Sequence, residues 1–480
     1  MLIHILYNTN KADIETIYPE NHIMNITDNI ALFIFRRDLR LIDNTALIHA
    51  VAAGYQVIPC FIFDPQQVGQ KNSFRSTNSI QFMLQSLQEL QTQIIQHNGH
   101  LLLLYGSSSD IVLQLLTQLP IQAVYSNKDY TPFSLQRDAA LEILCKKLNR
   151  AFIQYDDALL NSPNAITNKS NNPYTVFTPF YKACNKISVE QPNYIKKYTF
   201  YSAQINTQHI TTTTEQLNKI PSNNQLITGG RLAANTLLKN LSAQKNYITT
   251  HDIPAHPTTH LSAHLKFGTV SVREVYYAIA QELGKIHPLI RQLYWRDFYT
   301  HIAYHFPHVF GHPFNAKYNN LRWSSNKEHF IRWCTGTTGF PIVDAGMREL
   351  NATGFMHNRV RMIVASFLVK DLHINWQWGE KYFAQQLVDY DPAVNNGNWQ
   401  WVASTGCDPQ PYFRIFNPWL QQKKFDAQCK YIKRWVPELR AVDSKTIHSW
   451  YKAQQPLNSY PLPIVDHTKE AWLAKKLFSK

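Results

Sequence analysis

Apolar and polar positions follow two different rhythms along this chain. ALFIFRR (31–37) is an apolar run ending in charge, the pattern of a strand buried on both faces. QVIPCFIFD (56–64), HLLLLYG (100–106), AVYSNKD (123–129) and AFIQYDD (151–157) repeat that pattern. Helical stretches separate these runs. Asp43 and Asn44 open an amphipathic helix that reaches about Ala53 and stops at Gly54. Ile80, Met83, Leu84, Leu87, Leu90 and Ile94 recur at helical spacing between Ser76 and His97. Ile111–Leu119 predicts a short helix and Phe133 to about Asn149 a longer one. Strands alternating with helices predict an α/β, doubly wound parallel sheet, with a ligand crevice at the carboxyl ends of its strands. No G-x-G-x-x-G and no P-loop is present, so this region carries no dinucleotide or nucleoside triphosphate motif.

The rhythm then changes. Residues 158–225 are rich in Asn, Ser, Thr, Gln and Pro and include TTTTE at 211–215, the composition of a long polar connector. From about Leu226 the periodicity is helical. The expected organisation is an N-terminal extension (1–29), an α/β domain (30–160), a connector (161–225) and a large all-α C-terminal domain (226–480). No apolar run approaches the ~18 residues of a membrane span, and the first 30 residues carry Asp13, Glu15, Glu20 and Asp28, unlike a transit peptide. The six cysteines are scattered, with no C-x-x-C pair, which excludes a zinc ribbon and argues against a disulfide scaffold. A cytoplasmic protein without a membrane partner is the expected class.

Charge separates the halves. Residues 1–225 hold 17 basic and 16 acidic side chains, whereas residues 226–480 hold 30 and 17. A polyanion would therefore bind the second half. All eleven tryptophans also fall there, from Trp295 to Trp472. Aromatic rings among cationic side chains are how proteins hold exposed bases.

The densest chemistry runs from Gly354 to Pro418. In MHNRVRM (356–362), Asn358, Arg359, Arg361 and Met362 sit at the start of a helix. A basic first turn opposes the helix dipole, so this placement asks for a reason. WQW occurs at 376–378 and again at 399–401, with Trp295 and Trp323 upstream. These rings read as core tryptophans or as a row of oxidisable indoles. DYDPAVNNGNWQW (389–401) joins Asp389 and Asp391 to Asn395 and Asn396. The carboxylates read as arginine partners, a catalytic dyad or a metal pair, and the lack of a further ligand at metal spacing argues against metal. Thr258, Thr259 and Ser262 precede a helix, where hydroxyls either cap it or meet a phosphate. No G-x-S-x-G or catalytic cysteine context supports covalent hydrolysis.

Together, FRRDLRLIDNTAL (35–47), VFTPFYKAC (176–184), LSAHLKFGTVSVRE (261–274), LYWRDFY (293–299), residues 338–376 and DYDPAVNNGNWQWVASTGCDPQPYFRIFNP (389–418) resemble the photolyase/cryptochrome flavoprotein family, specifically class I cyclobutane pyrimidine dimer (CPD) DNA photolyases. The resemblance covers roughly residues 30–470. It implies an antenna domain followed by a helical domain that holds FAD and binds damaged DNA, single- or double-stranded, as a monomer. It implies light-dependent repair, in which excited reduced FAD passes an electron to a flipped-out dimer. Extrusion of a target base is itself a general device of enzymes that act on bases. Flavin contacts implied by the match are Tyr247, Thr258, Thr259, Leu261 and Ser262 on the pyrophosphate side, with Asn358, Arg361, Asp389 and Asp391 near the ribose, adenine and isoalloxazine. Asn395 matches the position facing flavin N5. Trp399, Trp376 and Trp323 match an electron-transfer triad. Gln292, Trp295, Arg359, Met362 and Trp401 match the dimer-binding positions.

Four departures from the pattern stand out, the last of them a pair of residues. Gln292 replaces a glutamate, and glutamine is the habit of the (6-4) photolyases. His251 and His260 replace basic residues beside the DNA and flavin phosphates. Phe133 and Ser134 replace an Asn-Glu pair that binds folate, which leaves the antenna pigment open among folate, a deazaflavin, a flavin or none. Met362 opposes the (6-4) alternative, and Asn395 opposes a cryptochrome-type blue-light sensor. The segment before residue 30 precedes the usual family start, as an extension or through an upstream start codon before Met24.

Overall fold

The computed structural model describes residues 29–205, 226–457 and 459–479. Most of the expected N-terminal extension and the TTTTE run lie outside the described residues. Five strands, β1 (Ile30–Phe35), β2 (Gln56–Phe63), β3 (Leu102–Tyr105), β4 (Ile121–Asn127) and β5 (Ala151–Tyr155), form a parallel sheet in the order β3-β2-β1-β4-β5. Strand β1 shows why an unbroken apolar run was the right signature. Ala31, Phe33 and Phe35 enter one hydrophobic core, while Ile30, Leu32 and Ile34 enter the core on the opposite face.

Four helices cover the sheet: α1 (Thr45–Ala52), α2 (Thr77–Gln96), α3 (Ser108–Gln118) and α4 (Pro132–Lys147). Each begins where its cap dictates. Asn44, Ser76, Ser107 and Thr131 all accept a backbone N–H of the first turn. A single turn at Pro65–Val68, capped by Asp64, was not legible as a helix because it is too short to show a period. In the rest of the chain α5 (Phe177–Cys184), α6 (Ser262–Phe267), α7 (Pro288–His305), α8 (Pro341–Thr353), α9 (Asn358–Ser366), α10 (Trp376–Gln386), α11 (Pro392–Ala403) and α12 (His467–Ser479) position the residues discussed below. No described helix is long and apolar enough to cross a membrane.

The two parts share a core. Phe267, Phe355 and Val388 pack into the same cluster as Phe33 and Phe35 of β1. Gly268 makes that approach feasible. It ends α6 at φ +63°, and a Cβ there would lie 2.1 Å from the Arg37 carbonyl oxygen. The β1–β4 switch point, where an open α/β sheet usually offers its crevice, is filled instead. Arg36 donates to Asp138 at 2.8 Å, Arg37 to Asp129 at 3.2 Å, and Asn127 to Asp38 at 2.6 Å.

Candidate flavin and electron-transfer site

Helix α9 begins at Asn358 because His357 caps it, its ring accepting from Arg359 N. The basic first turn is explained by its partners. Arg361 is held from below by the Met356 carbonyl at 2.8 Å and grips Asp389 with both terminal nitrogens, at 3.2 and 2.9 Å. Ser262 Oγ donates to the same carboxylate at 2.7 Å. Thus Asp389 joins the 258–262 segment to α9. Neither Thr258, Thr259 nor Ser262 caps α6, whose N-cap is Leu261 with no side-chain bond. The capping reading of those hydroxyls therefore fails.

Asp391 plays a different part. It caps α11 through Ala393 N and Val394 N, at 3.0 and 3.2 Å, and its other oxygen meets Arg37 from the end of β1. Burial opposes its charge, but Arg37, Lys266 and Arg296 outweigh that and hold its carboxyl below the usual range. This cross-domain pair was missed from the sequence: FRRDLR announces two arginines but not the fold that carries one of them to residue 391.

One turn on, Asn395 is buried and its Nδ2 donates to the Glu380 carbonyl at 3.0 Å. The Glu380 side chain accepts from Asn396 Nδ2 at 2.8 Å, and burial pushes its carboxyl up to about 7. Glu380 was also missed, since one glutamate after WQWG carries no pattern. Around Asp389, His260 Nδ1 and His357 Nε2 are buried without a hydrogen-bond partner among the described residues. Burial lowers the pKa of both rings, His357 to about 4. Buried polar atoms left unpaired beside a charged cluster mark a place where a polar group completes the set. The donors and acceptors present there fit the polar groups of FAD.

Tyr247 is half-buried, and burial raises its hydroxyl to about 12. It stacks on His251 at 5.0 Å, and His251 lies 3.4 Å from Asp252. Asp252 in turn pairs with Arg359 at 2.7 Å, whose guanidinium covers the Phe425 ring at 4.5 Å. Met362 Sδ lies 3.8 Å from Asn358 Nδ2. Gln292 is exposed on α7, three residues before Trp295. The Trp295 ring stacks on Phe177 with centroids 3.6 Å apart. Trp401 packs against a different core from Trp295.

The other three indoles share one region. Trp399 and Trp376 are almost wholly buried, and Trp323 packs half-buried against the same core. The segments that carry Trp323 and Trp376 run side by side, because Ser324 N donates to the His373 carbonyl at 2.7 Å and Ser324 bridges Ile374. Both then line one cleft. Gly379 of α10 seats Trp399: a Cβ there would lie 2.1 Å from Cη2 of its ring. A further buried indole, Trp333, stands 6.2 Å from Trp399 and donates to the Val364 carbonyl at 2.9 Å. No motif had marked it. Ser134, one of the departures, is spent internally, donating to Asp129 at 2.9 Å. No cluster of metal-ligating side chains occurs among the described residues.

Known proteins resemble the chain along nearly its whole length. Residues 31–196 match the family described as DNA photolyase, and residues 289–480 match the FAD binding domain of DNA photolyase. A deoxyribodipyrimidine photo-lyase of Synechococcus sp. is 38% identical over 471 residues, spanning 94% of this chain and 96% of its own. An archaeal photolyase from Sulfolobus tokodaii, solved with two FAD molecules, is 41% identical with a TM-score of 0.84, over 94% of this chain and 99% of that one. A cryptochrome from Synechocystis sp. is 28% identical with a TM-score of 0.87, over 95% of this chain and all of that one.

Proposed function

This chain belongs to the DNA photolyase family, and we propose on that premise that its residues repair cyclobutane pyrimidine dimers in DNA as follows. Bound FAD in its reduced state supplies, on absorbing blue light, the electron that opens the cyclobutane ring and that returns when the ring has split. The protein's share is binding, orientation and electrostatics. Tyr247, Thr258, Thr259, Leu261 and Ser262 hold the pyrophosphate side. Asn358, Arg361, Asp389 and Asp391 surround the ribose, adenine and isoalloxazine, and Asn395 offers its amide to N5. A neutral amide hydrogen-bonds that position without readily delivering a proton to it. Trp399, Trp376 and Trp323 carry electrons inward from the surface when the flavin arrives oxidised.

Gln292, Trp295, Arg359, Met362 and Trp401 receive the flipped dimer. The basic helical half grips the phosphates of the damaged strand, and a poorly stacked dimer costs less to extrude than a normal pair. We assign light gathering to residues 30–160, with a pigment of unspecified identity, and flavin and DNA binding to residues 226–480, joined through 161–225. The protein acts as a monomer in the cytoplasm, at the nucleoid when DNA is bound.

The observation that carries this reading is the convergence of Arg361 and Ser262 on Asp389, with the unpaired ring nitrogens His260 Nδ1 and His357 Nε2 beside that cluster. The test uses an oligonucleotide with a single thymine dimer and pre-reduced, FAD-loaded protein. Intact thymines should reappear under blue light and not in darkness. No restoration in either condition refutes it. One observation favours a second reading: Gln292, exposed beside Trp295, is the glutamine of (6-4) enzymes. The same assay with a (6-4) lesion decides between them.

A further inference from the structure

Outside the flavin and DNA surfaces, the described residues form a cleft of about 350 Å³ lined by Gly311, His312, Tyr318, Asn319, Trp323, Asn375, Trp376 and Gln377. That volume lies at the small end of small-molecule sites. Its floor is built rather than incidental. Gln377 Nε2 donates to the Gly311 carbonyl at 2.6 Å, and Asn375 Nδ2 donates to Gln377 Oε1 at 3.0 Å. Those bonds tie the 311–313 turn to the start of α10. Phe478 of α12 closes on Trp323 from beside it, with ring centroids 5.8 Å apart. Two of the three relay indoles, Trp323 and Trp376, therefore form walls of one small-molecule cleft.

The charge around it has one sign. No Asp or Glu occurs between Asp297 and Glu328, whereas Lys317, Arg322 and Lys327 do. Lys317 lies 5.2 Å from the Tyr318 ring centroid. On neighbouring elements Glu470 of α12 pairs with His373 at 2.7 Å, Asp371 pairs with His467, and Glu380 of α10 accepts from Asn396 at 2.8 Å. A site with aromatic walls, amide and imidazole edges and a cationic rim selects a small oxygen-rich anion.

We propose that this cleft docks a small anionic one-electron donor of the enediolate class, which refills Trp323 after an electron has left it. The inference rests on the relay reading of Trp399, Trp376 and Trp323 given above. The step is balanced simply. Trp323, one electron short, gains one electron. The enediolate monoanion gives up that electron and its remaining enol proton, which passes to water. No bond to the protein forms or breaks. Docking matters because an electron sent inward returns to Trp323 unless the vacancy is filled first. A donor held against the ring fills it at a rate set by local rather than bulk concentration.

Ascorbate is the probe, with FAD-loaded full-length protein. In darkness, calorimetry should find one saturable ascorbate site. Asn319→Glu, at an exposed rim position, should weaken it about tenfold through repulsion of one like charge at close range. Under light, the rate of flavin reduction should saturate with ascorbate at the same concentration that half-fills the dark site. With the neutral donor dithiothreitol, the parent's rate should rise linearly with donor concentration and show no saturation. No dark binding, or dark binding indifferent to Asn319→Glu, overturns the site. A strictly linear ascorbate dependence, with reduction abolished in Trp323→Phe, refutes docking alone. Light-driven reduction that persists in Trp323→Phe refutes the relay itself, and the donor's role with it.

Discussion

Glu380 offers a direct test of how the region behind Asn395 is built. Its carboxyl is buried, and its side chain accepts one hydrogen bond, from Asn396. Burial raises its pKa from 4.5 to about 7 against that bond. The folded state therefore binds this proton more tightly than the unfolded chain does. Its contribution to stability is full below pH 4.5 and is lost as the pH climbs through about 7. A rise of that size corresponds to about 3 kcal/mol across the window. Glu380→Gln keeps an oxygen for Asn396 and removes the titration. Urea denaturation of both proteins, followed by tryptophan fluorescence from pH 4.5 to about pH 8, isolates the term as the difference between two curves. The variant should gain about 3 kcal/mol on the parent over that range. At pH 6 the parent should also show the infrared carbonyl band of a protonated acid that the variant lacks. Parallel stability curves, or no such band, would mean that the carboxylate is solvated or paired, and the account of this pocket would be wrong.

Three further outcomes test other parts of the construction. Gly379→Ala drives a methyl group into the Trp399 ring and Leu368, and overpacking of about 1–3 kcal/mol should outweigh the gain of about 1 kcal/mol in helix propensity; an unchanged denaturation midpoint would show that the indole yields freely. Arg37→Ala leaves Asp391 and Asp129 buried without their shared cation, which should cost about 3–5 kcal/mol and release FAD during gel filtration; full flavin retention at parental stability would dismiss the cross-domain clamp. Affinity for a dimer-containing strand, read by fluorescence anisotropy, should fall roughly a thousandfold between 50 and 200 mM salt, as for about six phosphate contacts; a flat titration would remove the basic groove.

The α/β half was legible because its signals are local. Each strand is a short apolar run, and each helix starts at a Ser, Thr or Asn whose side chain reaches only two or three residues ahead. The pairing of Arg361 with Asp389 was also within reach, because a basic first turn facing the helix dipole needs a nearby carboxylate. What escaped was long-range. Arg37 and Asp391 lie 354 residues apart, and nothing near either predicts the other. Trp333 looked like any core tryptophan until the fold set it 6.2 Å from Trp399. The filled switch point escaped for the opposite reason, since the usual rule for open sheets predicts a crevice where this chain has spent its arginines and aspartates on one another.

That spending has a consequence for how the two parts work together. Arg37 extends from β1, and Asp391 begins α11, the helix that also carries Asn395, Trp399 and Trp401. One ion pair thus fixes the start of the helix that carries Asn395, Trp399 and Trp401, the residues proposed above as N5 neighbour, relay indole and dimer wall. Gly268 admits the Arg37 backbone against α6, and the first residue of α6, Ser262, binds Asp389, two residues before Asp391. The sheet therefore reaches the 389–391 segment by two routes, through Arg37 to Asp391 and through α6 to Asp389. Asp391 lies four residues before Asn395 and Asp389 six. A change at Arg37, just past the end of the central strand β1, should be felt at Asn395 before it is felt at the distant surface of the helical half, because the clamp and Asn395 share a single helix.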